Sequence, residues 1–325
     1  MIVPSFWAEA RVSRRHEGRE LTVRRFGWSE TSEAEAQASA ELRAQAAWDR
    51  IAAGEKLLRR EPKIPYNGAD GLPIREEVLS RQGNTVITRN AYGAQCLNTP
   101  DVLFADIDFK QGLSGRLVLA VTAGLMLLAL FFGFRLHSFG YGLVLLLMSL
   151  LMASKVAELM DLSVTMISGG AEQAARRRIG RFLARQPDWQ LRLYRTPAGL
   201  RLLAMHRLFD PAEAAVAECF KALGADPIYV QMCLKQRCFR ARVSPKPWRI
   251  GIGAHIRPRP GVWPVDPARR AERQRWIEDY ERSASGHAAC RYLETLGSGT
   301  VHPAAQSVQR LHDELCRAQQ DLPIA

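Results

Sequence analysis

Residues 117–134 read LVLAVTAGLMLLALFFGF, 18 consecutive positions without a charge. The tetrapeptide Arg135-Leu136-His137-Ser138 interrupts the run, and Phe139–Ser154, FGYGLVLLLMSLLMAS, resumes it up to Lys155. At 1.5 Å per residue a helix over the first run reaches about 27 Å, close to the roughly 30 Å hydrocarbon core of a bilayer. The second run is shorter but extends past Lys155 if that side chain snorkels. A four-residue break allows a tight turn, so the pattern predicts a two-helix transmembrane hairpin. The alternative is a buried hairpin inside a soluble bundle, although core helices seldom stay apolar on every side for so long.

Working outward, a hairpin returns the chain to the side it left, so both soluble parts share one compartment. Lys110 and Arg116 precede it, Lys155, Arg176, Arg177, Arg178 and Arg181 follow it, and the turn holds only Arg135. The positive-inside rule then predicts an inner, cytoplasmic membrane with the soluble parts facing the cytoplasm. The opening MIVPSFWAEARVSRR lacks the continuous apolar stretch of a signal peptide. In that compartment the six cysteines are expected as reduced thiols.

The 325 residues carry 45 basic and 33 acidic side chains, for a net charge of +12. An apolar fraction of 47% excludes a disordered or collagen-like chain. The mean hydropathy of −0.16 argues against a polytopic transporter. The charge is uneven: residues 1–175 are neutral, 176–270 hold 20 basic against 6 acidic residues, and 271–325 sum to −2. The +14 segment is expected to face something anionic: nucleic acid, nucleotide phosphates or lipid headgroups.

The rest of the chain reads as an α+β protein in five parts: 1–61, 62–112, 113–160 (the hairpin), 161–265 and 266–325. Alternation over Phe6–Val12, a turn at Gly18 and the run Leu21–Trp28 predict a two-stranded unit. Ser32 with Glu35 is a capping-box start for a helix ending near Gly54. This ββα unit is similar to small DNA-contacting modules of integrases. Residues Pro62–Pro73 read as a loop, Ile74–Ser80 as a short helix, and Thr85–Thr88 and Ala94–Leu97 as strands. A strand is expected over Asp101–Phe109, DVLFADIDF, and a basic helix over Leu162–Ala184. Leu191–Tyr194 and Leu200–His206 flank Thr196-Pro197-Ala198-Gly199, a turn sequence. Further helices are expected at Pro211–Leu223, from Arg269 and over Ala304–Gln319, with a strand at Cys238–Val243.

Three places carry candidate chemistry. Asp106 and Asp108 sit two apart on a strand, so both carboxylates leave one face. Such a pair repels unless a cation lies between, which points to Mg2+ or Mn2+. The alternative is a strand end facing a basic neighbour such as Arg195 or Arg201. His206 closes a strand, where it is expected to bind a nucleotide phosphate or, as a catalytic residue, polarise a reacting group; the alternative is a half-buried ring bonded to backbone. Arg240, Arg242, Ser244 and Lys246, in RARVSPKP, offer two guanidinium groups on one strand face and an ammonium on a stiff turn. That set suits phosphates. Cys96, Cys219, Cys290 and Cys316 read as isolated buried hydrophobes, and His302 and His312 as structural residues.

Taken together, Phe104–Asp108, the strand ending in His206 and RARVSPKP resemble the archaeo-eukaryotic primase superfamily, whose palm is related to the RRM fold. The resemblance implies a mixed palm-like sheet, with Asp106 and Asp108 on catalytic metal. It also implies that His206, Arg201, Arg240, Arg242, Ser244 and Lys246 contact a nucleotide or nucleic acid. The expected activity is metal-dependent nucleotidyl or phosphoryl transfer at the membrane. The hairpin stands where the family has a soluble helix, and Asp226 is the only acid near the place of a third metal ligand. The competing expectation is a noncatalytic membrane protein whose basic part docks on anionic lipid, DNA or a protein partner.

Overall fold

The computed structural model describes residues 1, 3–61, 72–109, 115–167, 169–259, 261 and 263–325. Most of the loop expected at 62–73, and Lys110, lie outside the described residues. The chain divides into two units, Asp108–Phe182 and the remainder, Met1–Ile107 with Leu183–Ala325.

The first element of the larger unit is a long hairpin, β1 (Phe6–His16) and β2 (Arg19–Ser29), paired antiparallel from Phe6↔Ser29 to His16↔Arg19. Its tight turn puts Glu17 and Gly18 at positive φ, as a two-residue hairpin loop requires. Helix α1 (Glu33–Ala52) starts where Ser32 accepts a hydrogen bond from the Glu35 amide. It lays Ala36, Ala40 and Ala44, all fully buried, against the hairpin. The approach is so close that a Cβ on Gly27 would stand 2.1 Å from Ala40 N; only glycine fits there.

Two four-stranded sheets follow. One runs β3 (Glu77–Gln82), β4 (Thr85–Arg89), β5 (Gln95–Thr99), β9 (Phe239–Arg242), with antiparallel neighbours throughout. The other is ordered β10 (Arg291–Gly297), β7 (Gln190–Arg195), β8 (Gly199–Ala204), β6 (Phe104–Asp108). Thr196 and Gly199 close the β7–β8 turn with reciprocal backbone hydrogen bonds. The expected short helix at Ile74–Ser80 is strand β3 instead. Its residues are partly exposed, and pairing with β4 overrides the helix preference of the Glu76–Glu77 region. The expected single sheet is also two: the Asp106 and Arg201 strands share one, while the Arg240 strand belongs to the other.

Helices α5 (Ala214–Leu223), α6 (Pro227–Gln236), α7 (Arg270–Ala284) and α8 (Pro303–Cys316) complete this unit. Asp226 caps α6, accepting from the amides of Ile228 and Tyr229. That gives it a structural task. Helix α8 packs on one face of the second sheet, its His312 ring tilted at 5.2 Å from Phe104 and edge-on at 4.8 Å from Tyr194.

In the smaller unit, α2 (Gly115–Arg135) and α3 (Phe139–Ile167) form an antiparallel pair, both long and apolar enough to cross a membrane. Only 11% and 17% of their apolar windows is buried, and Leu119, Phe134, Phe139 and Leu151 project outward. A core hairpin of a soluble bundle would hide such residues. The two helices meet along small residues: Gly133 faces Gly142, and Ser149 Oγ donates to Leu125 O across the pair. Ala153 and Ala157 continue the buried stripe at four-residue steps, the packing that apolar surroundings favour. Helix α3 runs past Lys155 to Ile167, and the basic helix is a separate element, α4 (Gly170–Arg185), set off by Gly169 and Gly170 at positive φ.

Candidate functional site

Alternation along β6 puts Phe104 and Asp106 on the face that α8 covers, and β8 presents Arg201 to the same face. There Arg201 grips Asp106 with both arms: Nε donates to Oδ1 at 2.7 Å and Nη2 to Oδ2 at 3.0 Å. Nη1 donates to the main-chain oxygen of Arg242 at 2.9 Å. Arg201 is only 3% exposed. Burial alone would weaken its hold on the proton, but the Asp106 charge more than reverses this and raises its pKa. A bidentate pair of this kind is geometrically specific.

This bears directly on the expected cation. Both oxygens of Asp106 accept from a guanidinium, the arrangement expected of a strand end that faces a basic neighbour. Asp108 ends β6 and is exposed.

The remaining expected site residues are dispersed. His206 lies past the end of β8, where the neighbouring chain is the start of β6: Ala204 N donates to Leu103 O and Phe209 N to Asp101 O. Its ring sits against Trp189 at 4.5 Å and Phe209 at 5.3 Å. Burial and then the Arg207 charge lower its pKa. Asp106 is in the middle of β6, beside Arg201, and no described contact brings it to His206. Arg240 Nη2, on a buried side chain, donates to the half-buried Glu76 Oε2 at 2.5 Å. Ser244 Oγ accepts from the Gln95 amide at 2.7 Å and bonds the Tyr280 hydroxyl at 2.6 Å. Lys246 lies over the Trp248 ring at 5.3 Å. Three arginines of the +14 segment, Arg192, Arg201 and Arg240, are therefore paired with acids inside the protein.

Elsewhere in the segment Lys221, Arg237, Arg257, Arg259, Arg269 and Arg270 are exposed, and a further part of the exposed charge is on α4. Ala175, Ile179 and Phe182 are its buried side, and Arg177, Arg181 and Arg185, four residues apart, are exposed on another. In the N-terminal part, Arg11, Arg24, Arg59 and Arg60 line a hollow together with Glu20 and Thr22.

A cluster that the sequence reading treated as isolated residues lies beside the Arg201–Asp106 pair. His312 and Cys316 are one helical turn apart on α8. The chain beyond α8 doubles back along residues 288–292, with Ala289 N donating to Cys316 O and Tyr292 N to Ala318 O. This carries Cys290 to the same point, so that one ligand atom from each of the three lies within 4.8 Å of the others. Cys290 Sγ is 3.9 Å from His312 Nε2. His312 Nδ1 is 3.1 Å from Asp313 Oδ1, while Arg192 and Gln309 donate to Asp313 Oδ2 at 2.9 and 2.6 Å. Burial raises the Asp313 pKa, but hydrogen bonds from His312 and others outweigh it and leave the carboxyl below its ordinary value. The one sequence signal was the His-x-x-x-Cys spacing on a helix; Cys290 is too distant in sequence to join it by inspection.

No protein-family model matches this chain, and no curated protein or solved structure matches it either.

Proposed function

We propose that this is a membrane-anchored binding protein: α2 and α3 span the bilayer, and α4 docks on anionic lipid headgroups on the side where the soluble parts lie. The observation that carries the reading is the row Arg177, Arg181, Arg185, exposed on the helix that directly follows a membrane-length helix in the chain. A juxtamembrane arginine contributes about 1 kcal/mol toward an anionic surface, so three to five of them favour docking by roughly 3–5 kcal/mol. With one arginine in the α2–α3 turn and five on α4, the positive-inside rule supports a cytoplasmic side.

Nucleotidyl transfer by a primase-like palm receives less support, because it asks Asp106 to exchange Arg201 for a metal. The test is hydrogen exchange on the full chain in nanodiscs of phosphatidylcholine, with and without about one-third phosphatidylglycerol. Residues 170–185 should exchange more slowly on the anionic disc, and the difference should vanish at high salt or in Arg177→Glu/Arg181→Glu. Equal exchange on both discs would refute lipid docking. Stronger protection by an oligonucleotide than by the anionic lipid would transfer the role to nucleic acid.

A further inference from the structure

We propose that Cys290, His312 and Cys316 form a buried binding site for one thiophilic closed-shell cation, Zn2+ or Cu+. The inference is independent of lipid docking and concerns a different part of the fold.

Geometry is the first support. In tetrahedral coordination, bond lengths of about 2.3 Å to sulfur and 2.0–2.1 Å to imidazole place S and N roughly 3.6 Å apart. Cys290 Sγ and His312 Nε2 are 3.9 Å apart, and Cys316 falls within the same 4.8 Å group. Side-chain movement of up to about 1 Å closes the widest separation and brings the three donors onto a common ion. The backbone that holds them is fixed on both sides: α8 presents His312 and Cys316 together, and the hydrogen bond from Ala289 N to Cys316 O locks the Cys290 segment beside them.

The surroundings of the histidine are the second support. A metal-bound imidazole characteristically donates its other nitrogen to a carboxylate, which fixes the tautomer and orients the ring. His312 Nδ1 has that partner in Asp313, which is itself held by Arg192 and Gln309. Nε2 is then left as the ligand atom, facing Cys290. Its contact with Arg201 Nη1, at 3.4 Å, is long for a hydrogen bond.

Charge is the third. Arg201 is neutralised by Asp106 and Arg192 by Asp313. Two thiolates and one Zn2+ add no net charge to that interior, and with Cu+ one of the two sulfurs keeps its proton to reach the same balance. A thiolate without a cation would instead leave a buried charge at a cost of several kcal/mol. Thiolate and imidazole donors select Zn2+ and Cu+ over the oxygen-seeking Mg2+ and Mn2+. The same three groups resemble a nucleophilic cysteine with a histidine base, but Cys290 and His312 have no exposed surface through which a substrate could reach them.

The test uses the full chain, purified in detergent under reducing, metal-free conditions and titrated with Co2+ as a probe. About one ion per chain should bind, with the near-ultraviolet band of a thiolate–cobalt bond, and Zn2+ should displace it. Cys290→Ser/Cys316→Ser should abolish the band, and Cys96→Ser/Cys219→Ser should keep it. Because a serine pair in the core could prevent folding, X-ray absorption on the unaltered chain loaded with Zn2+ or Cu+ provides a second readout. It should show two sulfur neighbours at about 2.3 Å and one imidazole. Uptake of either ion with that signature sustains the proposal. Binding of neither, a thiolate band that survives in Cys290→Ser/Cys316→Ser, or a Cys290–Cys316 disulfide in thiol-trapped protein would overturn it.

Discussion

Asp106→Asn separates the two uses of the DxD strand. In the structure Asp106 is the counter-ion of Arg201, which is 3% exposed, while Asp106 retains 27% of its side-chain surface. Removing one partner of a buried ion pair costs about 3–5 kcal/mol, because the other charge is left without compensation. The residual exposure of Asp106 lets water reach the arginine, so the lower end applies, about 3 kcal/mol. Spread over the larger unit, roughly 250 residues, this corresponds to a fall in Tm of about 6 °C. Thermal unfolding of the detergent-solubilised chain, followed by circular dichroism, reads it directly. Arg201→Met in the same background should restore part of the loss, since the orphaned charge is gone. A carboxylate pair built for Mg2+ behaves in the opposite way. There the asparagine relieves repulsion between Asp106 and Asp108, and Mg2+ raises the Tm of the unaltered chain. An unchanged or higher Tm for Asp106→Asn, together with stabilisation of the unaltered chain by Mg2+, would refute the ion-pair reasoning.

Other consequences follow from the packing and the protonation states. Gly27→Ala puts a Cβ into the backbone of α1 at Ala36 and Ala40 and should lower stability by about 1–3 kcal/mol or more, seen as a lower Tm. Ser244→Ala removes the acceptor of the Gln95 amide and the partner of Tyr280, and should cost about 1–3 kcal/mol in the same melt. His206 is held toward its neutral form by burial and by Arg207, below the ordinary 6.5. The unfolded chain therefore binds more protons than the folded one near that pH, and stability falls as pH drops through about 6.5. Melts from pH 7.5 to 5 should show this acid-side loss, and His206→Phe should flatten it; an equal slope in both proteins would contradict the assignment.

The membrane-length pair, the N-terminal hairpin with its Ser32 cap, and the β7–β8 turn were legible because each depends on neighbours in sequence. A charge-free run, a capping serine and a Pro-Gly turn act within a few residues. What the sequence did not disclose depends on distant partners. Strand β3 takes its form from β4, and β10 is interrupted by a register shift between Tyr292 and Glu294 that breaks the alternation. The charge total counted Arg201 and Arg240 as surface, although each is folded onto an acid far away in sequence. The link from Asp106 to Arg201 was visible only as an alternative to metal binding. Cys290 and His312 are 22 residues apart, and only the return of the chain beyond α8 makes them neighbours.

The central claim is that α2 and α3 cross the membrane and return, and labelling from the two sides of a sealed vesicle tests it most directly. Leu136→Cys reports on the exposed turn and Gly180→Cys on the open face of α4, while all six native cysteines are buried. With a membrane-impermeant maleimide, the two reporters should react from opposite faces of the bilayer. Reaction of both from the same face would contradict a spanning hairpin.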